Sequence, residues 1–399
     1  MKHITLILGL SALFIEASAQ QKPKIVFPQY EFTAIKANPI TPVKDQYRSG
    51  TCWCFSGIGL IESEIIRQKN ITDTLKYPDL SEMFVVSKSY QDKADKYVRL
   101  SGHLNFAAGS ETDDVFDVIR DYGIVPQDAM PGLNYGTDKP VHGELDALLH
   151  SYVSTIVKLP NRNKLSTAWK NGFNGIVNAY LGECPESFTK DGATYTPASY
   201  RDALGIVPDD YITLTSYTHH PLYTKFALEL ADNWRWDGSW NVPIDELMNT
   251  LDAAINNGFT IEWATDVSNP GFSRDGLAFN IDPETKPATA GSDQEKWVGS
   301  GEAKKQPVLE PVELFATQES RQEGFDNKSV TDDHGMLIYG IARDQKGGKF
   351  YMVKNSWGGA GRYKGIWYVT EQYVRQQTIS LTLHKDALSK DLKKKIGIK

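Results

Sequence analysis

The stretch from Thr51 to Lys69 constrains both the fold and the chemistry of this chain. Apolar side chains recur there at spacings of three and four, the period of a helix with one buried face, at Phe55, Ile58, Ile61 and Ile65. Cys52 would lie where the chain passes from Ser49, Gly50 and Thr51 into this helix. The partial positive charge at a helix amino terminus stabilises a thiolate. The sequence therefore predicts a packed helix that carries an activated cysteine in its first turn.

The remaining periodic segments indicate an α+β chain. Helices are predicted over 114–122, 145–159, 169–181 and 241–256, and strands over 259–264, 336–342, 350–355 and 365–368. Helices that come early and antiparallel strands that come late favour two lobes with a site in the cleft between them. We expect a helical lobe (about 46–135), an inserted helical region (about 140–235), a β lobe (about 241–388) with a long loop (268–330), and a tail (389–399).

The amino-terminal segment predicts export. Residues 1–19 combine a positive charge at Lys2, a short apolar run and small residues before Gln20, which is the pattern of a cleaved signal peptide. We therefore expect a periplasmic or extracellular protein. The apolar run is too short to span a bilayer, so no membrane anchor is predicted.

Charge and cysteine content exclude several classes of protein. The net charge is −7, from 43 basic and 50 acidic residues, which disfavours a nucleic-acid partner. Lysines 393–395 and Lys399 form a basic cluster that we interpret as a solvated tail. The three cysteines are too few, and odd in number, for a disulfide framework.

Neither a metal nor a cofactor is predicted. Cys52 and Cys54 have no cluster of further Cys or His ligands beside them in the sequence. His219 and His220 have no carboxylate or cysteine at ligand spacing, so packing or substrate lining is the favoured interpretation of this pair.

Thiol catalysis also needs a base, and His334 is the favoured candidate. It follows two aspartates and begins a strand pattern, and the next strand ends at Asn355. A neighbouring strand would then present the amide of Asn355 to the imidazole, with Trp357 covering their hydrogen bond. We expect Cys52 and His334 to form a thiolate–imidazolium pair.

These residues lie in motifs that resemble the papain family of cysteine peptidases. The segment from Gln46 to Ser56 is similar to the nucleophile segment of that family, in which a Gln stands six residues before the catalytic Cys. This offset selects Cys52 over Cys54. The resemblance implies that Gln46 contributes to the oxyanion hole. Segments 333–335 and 354–358 resemble the other two signatures of the family, in the expected order.

Three departures point to the bleomycin hydrolase or aminopeptidase C branch of that family. His334 lies 282 residues after Cys52, about double the separation in papain, so a large insertion splits the core. Position 49 is Ser rather than Cys, and the segment before Gln46 is too short for a papain-type propeptide. The resemblance implies a hexamer of identical subunits. It also implies a carboxyl-terminal tail that lies in the active-site cleft and restricts cleavage to the amino terminus of peptide substrates.

The same resemblance gives candidate substrate-binding residues. Gly109 and Ser110 stand where the branch has a wall that pairs with the substrate backbone, and Asp333 and Trp357 flank the catalytic residues. Two alternatives to an aminopeptidase stay open, namely a secreted papain-like endopeptidase and a non-catalytic binding protein of the same fold.

Overall fold

The structure is a computed structural model that describes residues 27–159, 164–285 and 310–398. The predicted signal peptide (1–19) and part of the predicted loop (286–309) lie outside these residues. None of the described helices is both long and apolar enough to cross a membrane.

The described residues form ten α-helices. They are α1 (Cys52–Gln68), α2 (Glu82–Arg99), α3 (Asp113–Tyr122), α4 (Gly143–Lys158), α5 (Ala168–Leu181), α6 (Pro197–Leu204), α7 (Ile244–Asn256), α8 (Gln318–Asp326), α9 (Glu371–Gln377) and α10 (Lys390–Ile396). Four of the five predicted helices, α1, α3, α4 and α5, agree with their predicted bounds to within two residues. The fifth, α7, begins three residues later than predicted, after Pro243.

The strands belong to one large sheet and one small hairpin. They are β1 (Phe32–Ala37), β2 (Phe188–Lys190), β3 (Ala193–Tyr195), β4 (Tyr211–Thr215), β5 (Lys225–Ala227), β6 (Gly238–Asn241), β7 (Ile261–Thr265), β8 (Phe272–Ser273), β9 (Leu277–Ala278), β10 (His334–Asp344), β11 (Lys349–Lys354), β12 (Ile366–Thr370) and β13 (Thr378–His384). The sheet order is β5-β6-β4-β13-β7-β10-β11-β12-β9-β8, with β1 also paired to β10, and β2 pairs with β3. The central strand β10 is antiparallel to β7, β11 and β1.

The two predicted lobes meet along helix α1. Helices α2 to α5 pack with α1 in one apolar core, and α7 packs with the sheet in a second one. The prediction of a single buried face on α1 is wrong, because nearly every side chain from Trp53 to Ile66 is buried. Helix α1 lies between the helical lobe and strand β10, so protein covers it on both sides.

Three segments carry more regular structure than the sequence predicts. The inserted region contains the β2–β3 hairpin and strand β4, which joins the large sheet through β13. The segment interpreted as a long loop contains β8, β9 and α8 in its described parts. The described lysines of the tail reach solvent, as predicted, but the tail is regular: it forms α10, whose Leu392 and Ile396 are buried in the core of the β lobe.

Candidate active site

The first residue of α1 and the first residue of β10 face one cavity. Cys52 and His334 both line this cavity, which has a volume of about 240 Å³. Helix α1 crosses β10 so closely that a side chain on Gly335 would clash with Ser56. The backbone N–H groups of Gly335 and Trp53 lie near the sulfur of Cys52 and favour its thiolate form. The fold therefore brings the predicted nucleophile and base together, with backbone N–H groups near the thiol.

Asn355 holds the ring of His334. Nε2 of His334 donates a hydrogen bond to Oδ1 of Asn355 at 2.7 Å, and the backbone N–H of Ser356 donates to the same oxygen at 2.7 Å. Because the Ser356 N–H donates to it, the atom of Asn355 that faces His334 is the amide oxygen, which can only accept. The proton of the imidazole is therefore on Nε2. Nδ1 is then the basic nitrogen. The ring of Trp357 stacks on the imidazole with centroids 4.8 Å apart, and it shields the His–Asn hydrogen bond.

Gln46 is fixed by the segment that follows Asn355. Its backbone N–H donates to the Ser356 carbonyl at 2.8 Å, and its side-chain Oε1 accepts from the Ser356 hydroxyl. Its Nε2 donates to the Ser49 carbonyl at 2.8 Å, in the turn that leads into Cys52. An amide nitrogen carries two N–H groups, so this contact engages one of them. Ser356 is a positioning residue that the motif comparison missed, although it stands inside the third signature.

Burial favours the neutral forms of both reactive groups. The surrounding protein desolvates the thiol and raises the pKa of Cys52 to about 12, against the opposing effect of the Gly335 N–H. Asp332 and Glu262 add to the increase, because negative charge disfavours a thiolate. Desolvation also lowers the pKa of His334 to about 4. Burial thus opposes each charge of the predicted thiolate–imidazolium pair when that charge is taken by itself, and the pair stays a prediction.

Three of the four predicted substrate-binding residues line the cavity. They are Gly109, Ser110 and Asp333, whereas Trp357 lies behind His334. A Cβ on Gly109 would lie 1.9 Å from the Asp232 carboxylate, so a larger residue there would displace that side chain. The Ser110 hydroxyl accepts from the indole N–H of Trp234 at 2.9 Å, so its position in the wall is fixed.

The sequence comparison missed the carboxylates of the cavity. Besides Asp333 they are Glu111, Asp232, Glu262 and Asp332. One signal was present in the sequence, because Glu262 interrupts the otherwise uncharged segment that was predicted as a buried strand. The others come from loops whose positions depend on the tertiary fold.

The remaining cysteines and the histidine pair lie away from the cavity lining. Cys54 is buried, with its sulfur 3.4 Å from the Glu82 carbonyl, and all three cysteines are free thiols. The expectation that no carboxylate accompanies His219 and His220 is wrong. The fold places the Glu229 carboxylate at 3.0 Å from Nε2 of the first and 2.8 Å from Nε2 of the second.

Known proteins match this chain in the regions that build the site. The model of the papain family cysteine protease matches residues 29–158, and the Peptidase C1-like family matches residues 311–398. The first region contains Cys52 and the second contains both His334 and Asn355. The chain belongs to the papain-like cysteine peptidases.

Relatives that match along most of the chain place this papain-like peptidase in one branch. Aminopeptidase G of Lactobacillus delbrueckii subsp. lactis is 23% identical over 88% of this chain and 83% of its own length. Bleomycin hydrolase of Rattus norvegicus is 21% identical over 90% of this chain and 83% of its own length. The solved structure of PepW from Lactobacillus rhamnosis HN001 superposes with a TM-score of 0.67 at 18% identity, covering 92% of this chain and 84% of that one. The chain is a member of the bleomycin hydrolase and aminopeptidase C branch, as the motifs predict.

Proposed function

We propose that this protein is a cysteine aminopeptidase that removes amino-terminal residues from peptides. The observation that carries the proposal is the meeting of Cys52 and His334 at one cavity, with Nε2 of the imidazole bound to Asn355. The names of the relatives, aminopeptidase G, aminopeptidase C and bleomycin hydrolase, support the same activity.

Each polar group of the site has a defined role in this mechanism. Nδ1 of His334 accepts the thiol proton as the sulfur of Cys52 attacks the substrate carbonyl carbon. The backbone N–H of Cys52 and the amide N–H of Gln46 stabilise the oxygen of the tetrahedral intermediate. His334 then gives its proton to the leaving amine, and water hydrolyses the thioester to release the amino-terminal residue. Asn355 keeps the imidazole in the tautomer that these steps require.

Replacing the two cysteines of α1 separately tests the assignment of the nucleophile. Cys52→Ala removes the attacking sulfur, so we expect hydrolysis of aminoacyl fluorogenic amides to fall at least about 10³-fold. Cys54→Ala is the matched control, because the same substitution two residues away removes a thiol that packs in the core. Its activity should stay within about twofold of the wild type. Loss of activity in the control with retention in Cys52→Ala would refute the assignment.

An endopeptidase is the second candidate, and the position of the tail favours it. The resemblance implies a tail that closes the active-site cleft, but residues 389–398 pack on the β lobe and do not line the cavity. Lys395 pairs there with Glu246 of α7 at 3.0 Å. The two activities separate in one assay that compares an aminoacyl amide with the same amide carrying an N-acetyl group. An aminopeptidase hydrolyses only the amide whose α-amine is free. Equal rates of hydrolysis for the free and the N-acetylated amide would establish the endopeptidase.

We also propose export and a hexameric assembly, on the grounds of the segment 1–19 and of the branch. Fractionation of cells that express the full chain tests export, since a cleaved signal gives a mature chain beginning at Gln20. Mass measurement by light scattering tests the assembly. A mass of about 45 kDa for the protein in solution would contradict the hexamer, because one full chain is 44.6 kDa.

A further inference from the structure

The cavity beside Cys52 is lined by more carboxyl groups than the proposed reaction uses. Five carboxyl groups line it, those of Glu111, Asp232, Glu262, Asp332 and Asp333. No Lys or Arg is found among the described residues of its wall. The thiol of Cys52 and the imidazole of His334 open into the same space. The cavity exceeds the volume of several water molecules and accommodates a group as large as a side chain.

Two of these carboxylates have an oxygen without a donor. Glu262 is fully buried, and its Oε1 accepts from the Ser56 hydroxyl at 3.0 Å, but its Oε2 has no hydrogen-bond partner among the described residues. Glu111 is 9% exposed, and its Oε1 likewise has no partner there. Leaving a buried polar atom without a partner is unfavourable. A group that supplies N–H or O–H donors would satisfy both oxygens.

The carboxyl groups of Glu111 and Asp332 also interact with each other. Burial raises the pKa of Glu111, and so do repulsion between the two anions and the hydrogen bond that a protonated Glu111 donates to Asp332. A cation placed between them relieves the repulsion and restores both carboxylates to their ionised form. The group that fits is therefore positively charged as well as a donor.

The separation of the ligand atoms distinguishes an organic cation from a metal ion. Within the described part of the chain, the carboxylate and imidazole groups that converge closely enough to hold a metal lie elsewhere, at His219, His220 and Glu229 and at Asp114, Asp117 and Asp237. The cavity carboxylates are more widely spread. An ammonium or guanidinium group reaches spread acceptors through several N–H donors.

We propose that this cavity is a subsite for a positively charged group of the substrate, either the free α-ammonium or the side chain of a Lys or Arg residue. The proposal deepens the proposed function and rests on it, because the charge would belong to a peptide whose carbonyl is attacked by Cys52. A bound cation would also offset the negative field of Asp332 and Glu262 at the sulfur. Substrate binding would then promote the transfer of the thiol proton to His334.

Isosteric substitutions combined with matched substrates test the subsite. Glu262→Gln, Glu111→Gln and Asp332→Asn each replace a carboxyl group, which can ionise beside a bound cation, with a neutral amide of similar shape, and Glu323→Gln on the exposed face of α8 is the control. One arm compares a free with an N-acetylated aminoacyl amide. The other arm compares N-acetylated peptide amides that carry either Arg or its neutral isostere citrulline.

We expect each cavity substitution to lower kcat/KM for the cationic substrate of one arm by about tenfold relative to its neutral partner. A loss in the first arm identifies the α-ammonium group as the bound cation, and a loss in the second arm identifies the side chain. Glu323→Gln should leave all four substrates unaffected. Equal losses for cationic and neutral substrates, or no loss for either, would overturn the subsite.

Binding to Cys52→Ala separates this proposal from the proposed function. Titration calorimetry of this inactive variant with the cationic and the neutral compounds requires no catalysis. If the wild type hydrolyses none of the substrates but Cys52→Ala binds the cationic compound at least about tenfold more tightly, the peptidase activity fails and the subsite stands. Equal affinity for both compounds would refute the subsite whether or not the protein is active.

Discussion

Two groups of buried carboxylates contact helix α1, and they differ in how their charge is balanced. In the first group, Glu62 and Glu82 lie 3.6 Å and 2.7 Å from Nζ of Lys44. Lys354 reaches the same group through Thr41, whose hydroxyl donates to Glu62. The second group lies in the cavity wall, where no Lys or Arg is found among the described residues, and consists of Glu111, Glu262 and Asp332.

Each of the two cysteines of α1 lies next to a different one of these groups. Cys54 contacts Glu82 in the balanced group, and Cys52 faces the unbalanced one. Burial alone would lower the pKa of Lys44, but the carboxylates of Glu82 and Glu62 raise it above its ordinary value. By contrast, burial raises the pKa of Glu262 to about 8. A buried charge that is paired within the chain contributes to the fold, whereas an unpaired one beside a nucleophile indicates a ligand.

Breaking the balanced group should give the largest change in stability. Lys44→Met leaves Glu62 and Glu82 buried beside each other without their cation, and we expect the free energy of unfolding to fall by about 3–5 kcal/mol. Urea denaturation at pH 7 measures the change. Lys76→Met is the control, because its side chain is 76% exposed and it should change stability by less than about 0.5 kcal/mol. A loss below 1 kcal/mol for Lys44→Met would contradict the comparison.

Neutralising the unbalanced group should instead stabilise the protein. The pKa of Glu262 is about 8 in the folded chain and near 4.3 when unfolded, so the folded state holds a proton that the unfolded state loses. The contribution of this carboxyl to stability is complete below pH 4 and is lost as the pH rises through 8. We expect Glu262→Gln to raise the free energy of unfolding by about 2 kcal/mol at pH 8 and to leave it unchanged at pH 5. A uniform effect at both pH values would be inconsistent with the titration of Glu262.

A smaller effect should follow from removing the Ser56 hydroxyl, which hydrogen-bonds to Glu262. Ser56→Ala deprives Oε1 of its donor and disfavours the ionised form further, so we expect a loss of about 1 kcal/mol at pH 8 and less at pH 5. Ser63→Ala is the matched control in the same helix, because its hydroxyl donates only to the Gly59 carbonyl. Its effect should not depend on pH. Thermal unfolding of both variants at the two pH values makes the comparison.

The sequence predicted those elements whose apolar residues follow a clear period. The bounds of α1 and α5 were predicted to within one residue, and β10 and β11 lie where the run of apolar residues indicated. It missed β13, which is buried over its whole length, and α10, whose lysines conceal the two apolar residues that anchor it. The neighbours that bury such a segment come from distant parts of the chain, so the local sequence pattern does not show that it will be buried.

The sequence by itself predicted which residues would serve as nucleophile, base and the group that orients the base, and the fold brings these residues together. Cys52, His334 and Asn355 stand in three ordered motifs, and each motif also sets the start or end of the element that carries it. Only the tertiary structure decided the charge around them. Glu111, Glu262 and Asp332 come from three separate segments and acquire their raised pKa values through burial in one wall. Desolvation depends on everything that surrounds a group, so it emerges only when the chain has folded.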